Sequence, residues 1–220
     1  MASERHNSNM QPGLLPLFPL EVVLMPGGHL PLHIFEERYK EMIGEAIREQ
    51  TEFGIVLVNR GELEPIGCTA IVQGVLQEYP DGRLDIITQG RRRFEILLVN
   101  EERNFLRAAV EYFDDETELA SDPKELNAAI TAYNLLQAIW KNQPLEEAAY
   151  TDPRVSFRLV RAIRDLKFRQ ALMECRSEPE RVRKLSVYLQ EYAFRVEREQ
   201  ALKDMAPLNG HGPDFNGYKA

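Results

Sequence analysis

At 220 residues and a formal charge of −8, the chain can bury a substantial core and is too acidic for a general affinity for nucleic acid. Hydrophobic residues at 44% and charged residues at 28% are ordinary for a globular protein in water, and no apolar run approaches the roughly 20 residues of a membrane span. The N-terminal MASERHNSNMQPG lacks a secretory apolar core, and Cys68 and Cys175 lie far apart without CxxC spacing; a cytoplasmic protein without disulfides is the expectation.

Residues 1–12 are polar and aperiodic and are expected to be disordered. Two apolar runs, Leu14–Met25 and Leu30–Phe35, flank the turn signal Pro26-Gly27-Gly28. Prolines 16, 19 and 31 lie inside them, so these strands should be interrupted, bent or at an edge. After His33 the period changes to about 3.6: Tyr39, Met42, Ile43, Ala46 and Ile47 fall on one helical face. Phe53–Val58 reads as a buried strand, 59–65 as a loop, and Ile66–Leu76 as a long strand that Gly67 and Gly74 bend or bulge. Pro80-Asp81-Gly82 is a hairpin signal, with a return strand over Arg83–Thr88 that Gly90 ends. Phe94–Val99 and Leu106–Tyr112 alternate as further strands.

An acidic linker over 114–118 closes this half, and from there the pattern is helical. Asp122-Pro123-Lys124-Glu125 is a helix start, with a face of Leu126, Ile130, Tyr133, Leu136 and Trp140. Asp152-Pro153 repeats the signal before Val155, Leu159, Ala162 and Leu166, and Asp165 suits the cap of a short helix holding Phe168 and Leu172. Ser177-Glu178-Pro179-Glu180 opens the longest helix, with Val182, Leu185, Leu189, Tyr192 and Val196 on one face. The pattern gives a β-rich domain over 13–118, an α-helical bundle over 119–204 and a disordered tail over 205–220. The fold class is α+β.

Few residues carry chemistry. His29 and His33 are about 13 Å apart in an extended chain, too far to share an ion, so no metal is expected. Glu36, Glu37 and Arg38 suit the first turn of a helix, where the dipole favours acids, and could also meet a partner at the rim of the sheet. Arg91-Arg92-Arg93 is the densest basic run, but strand alternation splits it between two faces. Between Arg154 and Lys184 ten Lys/Arg stand against four acids, a solvated helical surface or a docking face for an acidic partner. Trp140 and Tyr133 belong to the helical core, which leaves Phe18, among the prolines, as the exposed apolar contact.

The segment LPLFPLEVVLMPGGHLPLHIFEERY, residues 15–39, resembles the opening of the Lon protease N-terminal domain family. The likeness lies in Leu15-Pro16-Leu17, in Val22-Val23 followed by Pro26-Gly27, and in Pro31-Leu32 followed by Ile34-Phe35-Glu36, Arg38 and Tyr39. It continues through Ile66–Val72, with Cys68 as a departure, and through Asp81-Gly82-Arg83 to Gly90–Phe94. The resemblance implies a PUA-like β pseudo-barrel with a covering helix, followed by a helical bundle. It also implies a non-catalytic module that binds exposed apolar segments of client proteins.

No GxxxxGK[ST] phosphate loop occurs in the 220 residues. Four of the six serines sit at caps or in helices, none in the setting of an activated nucleophile. Two cysteines are too few for the zinc module that cereblon, another family member, carries. The expectation is therefore no enzyme activity and no cofactor. Phe18, Glu36, Glu37 and Arg38 are the expected protein contacts. Unfolded or partly folded protein segments are the expected partners, with a protease or ATPase as an optional one. Nucleic acid is disfavoured, no membrane partner is expected, and the oligomeric state is left open. The alternative is an RNA-binding PUA-like module.

Overall fold

The computed structural model describes residues 13–116 and 120–205. The segments expected to be disordered, 1–12 and 205–220, lie outside the described residues except for Met205, which ends the last helix. The chain forms two compact units, one within 1–118 and 163–177 and the other within 119–162 and 178–220.

Six strands build the first unit: β1 (Leu15–Leu20), β2 (His29–Ile34), β3 (Phe53–Asn59), β4 (Glu62–Glu78), β5 (Leu84–Asn100) and β6 (Arg107–Phe113). Their order is β2-β5-β4-β3-β1-β6, and β5 pairs also with β6. Five strands thus close a ring, which leaves no open edge within the ring itself. Only β1 and β3 run parallel. Closure depends on the two 17-residue strands, β4 and β5. Their far ends, Ile71–Glu78 and Leu84–Gln89, leave the ring and take β2 along as a three-stranded arm.

Leu15, Leu17, Val56, Phe94 and Ala108 pack inside the ring. The Phe94 ring lies over Gly67, where an added Cβ would come within 2.7 Å of it. Gly67 is therefore a site of close approach, and register shifts flank it there and recur before Gly74, as the sequence indicates. Gly90, expected to end a strand, lies in mid-strand. Its N–H donates to the Gly28 carbonyl and its own carbonyl accepts from Gly27, both at 2.9 Å, and a Cβ there would strike the Met25 carbonyl. A glycine is what lets β5 continue beneath the Pro26-Gly27-Gly28 turn. The expected loop over 59–65 shrinks to Arg60-Gly61, both at positive φ, because β4 begins at Glu62.

Helix α1 (Glu37–Glu49) buries Tyr39, Met42, Ile43 and Ala46, as its period indicates, while Ile47, at the edge of the expected face, is exposed. The unit is completed by α4 (Leu166–Glu174), whose cap is Asp165 accepting from Phe168 N. This helix was expected in the bundle. Arg169 donates to the Val23 carbonyl at 2.6 Å and Gln170 to that of Ile66 at 3.0 Å. Hydrogen bonds to the sheet decide its place.

In the second unit α2 (Pro123–Ile139) starts at Asp122, which accepts from Lys124 N, and packs on α5 (Glu178–Met205). The single helix expected after Asp152-Pro153 is replaced by α3 (Ser156–Leu159) and a 3-10 turn over Val160–Ala162. Beneath them lies a buried ion pair. Glu178 accepts from Ser156 N at 2.9 Å and Oγ at 2.6 Å, and Arg181, fully buried, donates to it at 2.6 Å. The Arg181 guanidinium lies 4.4 Å from the centre of the Phe157 ring.

Candidate functional site

The arm carries the most exposed apolar surface of the first unit away from the β5–β6 pairing. Both of its outer strands are paired on one side only, since β2 meets β5 and β4 beyond Ala70 meets β5 alone. Such edges invite strand addition, yet both are blunted. Pro31 sits mid-way along β2 and offers no N–H. On β4, Val72 faces Thr88 while Gly74 faces Ile87, and Val75 faces Ile86 while Gln77 faces Asp85. Gln73 and Leu76 are thus extra residues, two bulges in eight positions. The second bulge turns neighbouring side chains outward together: Val75 is 44% and Leu76 64% exposed. This surface offers side chains and not a strand template.

Polar contacts fix the arm's other face. His33 lies opposite Asp85, with Nδ1 donating to Oδ1 at 2.5 Å, and Tyr79 donates to Oδ2 at 2.8 Å. The His33 hydrogen bond, and after it that of Tyr79, holds the Asp85 carboxyl below its ordinary value. Stacked on the imidazole at 5.9 Å is Phe35, 59% exposed. The hairpin tip is held by Lys40, which donates to the Asp81 carbonyl at 2.9 Å and to Glu37 at 2.8 Å.

Three of the four residues expected at a binding surface are found beside Phe35. Glu37 and Arg38 open α1 and are exposed, and Glu36, at the cap position before them, is half-buried. Arg38 Nε donates to Glu36 at 2.9 Å, and its guanidinium covers the Tyr39 ring at 4.6 Å. Phe18 is the exception and corrects the expectation of an exposed contact. It is 6% exposed, with its ring 4.1 Å from Tyr39 and 6.5 Å from Phe53. Tyr39 of α1 closes over it, so Phe18 is core. Phe35, Val75 and Leu76 went unnoticed because apolar residues in strands read as buried. The one available signal was the surplus of apolar side chains around a hairpin too short to bury them.

The basic run is dispersed. Arg91 and Arg92 together oppose Thr69, whose Oγ1 accepts from Arg92 N at 3.0 Å, and this bulge breaks the alternation. Arg93 is consequently buried. Arg92 pairs with Glu52 and lies 3.9 Å from the Tyr112 ring centre. A phosphate-binding patch needs several free cations on one face, and these three do not form one.

A cleft of 950 Å³ also opens on the first unit, between the β3–β4 turn and α4. Glu21, Glu62, Glu64 and Glu174 line it with Arg60 and Lys167. Glu64 accepts from Asn59 and Glu174 from Gln170. No nucleophile with an adjacent base appears in it, and the described residues hold no group of three or more potential metal ligands. None of the described helices is long and apolar enough to cross a membrane.

Comparison with known proteins adds the context. The family profile of the ATP-dependent protease La (LON) substrate-binding domain matches residues 14–191. A Lon protease of Anaeromyxobacter dehalogenans is 30% identical over 151 residues, which are 64% of this chain and 18% of that protein. This chain therefore spans less than a fifth of that relative. Two solved structures share the fold. A Lon N-terminal domain protein from Xanthomonas campestris has 24% identity and a TM-score of 0.64, covering 80% of this chain and 98% of that one. The N-terminal domain of the Mycobacterium avium complex Lon protease has 16% identity and a TM-score of 0.57, covering 81% and 98%.

Proposed function

Because the chain belongs to the Lon substrate-binding domain family, we propose that it is a non-catalytic recognition module binding exposed apolar segments of client proteins. The observation that carries this reading is the outward pair Val75–Leu76, on an arm that also bears Phe35. Side chains of this size contribute about 1.5–3 kcal/mol each when fully buried by a partner. Val75 and Leu76, with Phe35 as a separate contact on the other face, give weak, reversible and sequence-tolerant binding. Glu36, Glu37 and Arg38 set charges beside Phe35 that discourage self-association through that ring. The ring of five strands is read as a PUA-like pseudo-barrel and the second unit as its helical bundle. A cytoplasmic setting, with clients held or passed to a protease or ATPase, completes the proposal.

The test is fluorescence anisotropy with labelled, reduced and carboxymethylated α-lactalbumin, a permanently unfolded chain. Apolar recognition predicts binding that persists when salt rises from about 0.1 M to about 0.5 M. It also predicts loss of affinity in Val75→Ser/Leu76→Ser without a change in melting temperature. Binding abolished by salt, or unaltered by that variant, would overturn the assignment. A salt-sensitive affinity for single-stranded RNA would favour the alternative.

A further inference from the structure

Helix α5 has two apolar faces, and among the described residues only one is covered. Val182, Leu185, Leu189 and Ala193 are buried on the side that packs on α2. On the opposite side, Val187, Phe194 and Leu202 are 56%, 65% and 55% exposed. Spacings of seven and eight keep them on one side of the helix, within a stripe about 80° wide. Beyond Ala193 the helix loses its cover: from Phe194 to Leu202 only Val196 is half-buried. About two and a half turns with a large aromatic ring on them gain little from the described residues.

We propose that this stripe is the docking surface for a second copy of the chain, the two α5 helices crossing antiparallel with the two-fold axis beside Phe194. The charges select that occupant and that direction. Glu191 and Arg198 follow Val187 and Phe194 by one turn on the same side, and among the described residues neither has a partner. Antiparallel pairing about the 194–195 bond sets Glu191 against the partner's Arg198, and Val187 against the partner's Leu202, each twice. The two Phe194 rings meet at the axis. A parallel pair in register would instead set Glu191 beside the partner's Glu191, and Arg198 beside the partner's Arg198. The stripe is thus complementary to its own reverse, as an isologous interface requires. It is short, so the dimer is weak and concentration-dependent.

Sedimentation equilibrium of the full chain over a wide concentration range reads the association directly. A monomer–dimer equilibrium is expected. Phe194→Glu, Glu191→Arg and Arg198→Glu should each weaken it at least about tenfold. The double exchange Glu191→Arg/Arg198→Glu should restore it, because it rebuilds both pairs with the signs reversed. As a second readout, Phe194→Cys should form a covalent dimer on mild oxidation. Val187→Cys should not, because in this arrangement the two positions lie about 22 Å apart. A monomer at every concentration, a dimer indifferent to Phe194→Glu, or ready cross-linking through Val187→Cys would overturn the proposal. Failure here leaves client binding by the arm untouched, since the two surfaces share no residue.

Discussion

Arg93, on a strand, caps a helix that comes eighty residues later: its Nη1 donates to the carbonyl of Cys175 at 2.7 Å and to that of Met173 at 3.2 Å. These are carbonyls at the end of α4, where a helix has no partners of its own and the dipole favours a cation. Nη2 donates to Asp115 at 2.7 Å, and the Phe113 ring centre is 4.7 Å from the guanidinium. The side chain is 3% exposed.

Replacing Arg93 by Met keeps volume but takes the guanidinium away from the Asp115 carboxylate and from two carbonyls. The expected cost is about 3–5 kcal/mol, read as a drop in the urea midpoint. Hydrogen exchange should show α4 losing protection before the sheet does. Arg93→Lys should recover only part of it, since an ammonium cannot reach three acceptors in a planar fork.

The same arginine marks where sequence reading ends. Asp122 and Asp165 were legible as caps because a cap is a matter of two or three neighbouring residues. The face of α1 was legible because its period is local. Arg93 read as a surface charge because nothing near it announces the bulge at Arg91-Arg92. Without sight of the bulge, the link from Arg93 to the end of α4 is not foreseen, and that helix falls naturally into the helical half. Phe18 misled for a related reason: the ring that covers it belongs to Tyr39, and strand prolines say only that pairing is broken. Elements were readable, then, and the contacts between distant elements were not. The exposed pair on β4 depends on a register that only the folded sheet defines.

Cys68 offers a chemical reading of the same core. Burial pushes its thiol up to about 12, far from the range in which thiolates react. In the native protein at about pH 8, Cys68 should resist thiol reagents and Cys175 should account for any early labelling. Cys68 should become reactive only in urea, at a rate that follows unfolding of the sheet. Prompt labelling of two thiols in the native state would contradict the packing described.

Acidification should act on the arm through Asp85. Its carboxyl is held low, first by His33 and then by Tyr79, so this contact adds stability above the unfolded carboxylate value and loses it as pH falls through the depressed one. Tyr79 is raised, chiefly by the same hydrogen bond, so its share is present below the ordinary tyrosine value and fades as pH rises through the raised one. The contact is complete between about pH 4 and about pH 10. NMR of the Asp85 side-chain carboxyl should show it ionised down to the acid edge of that window. Tyr79→Phe should move its titration toward the ordinary carboxylate value.

In the second unit the decisive group is Glu178. Its carboxylate joins the start of α5 to Ser156 and Arg181, and Arg181 has no contact with solvent. Glu178→Ala removes a carboxylate from beside a guanidinium that cannot reach water and takes the acceptor from Ser156 N–H. A loss of about 3–5 kcal/mol is expected, measured as a shift in thermal midpoint with helix signal as the probe. Replacing both partners, Glu178→Leu with Arg181→Met, should cost less than the single change, because the buried charge goes with its partner. If the double variant is instead the less stable of the two, the arginine's stacking on Phe157 is the larger contribution and the carboxylate the smaller.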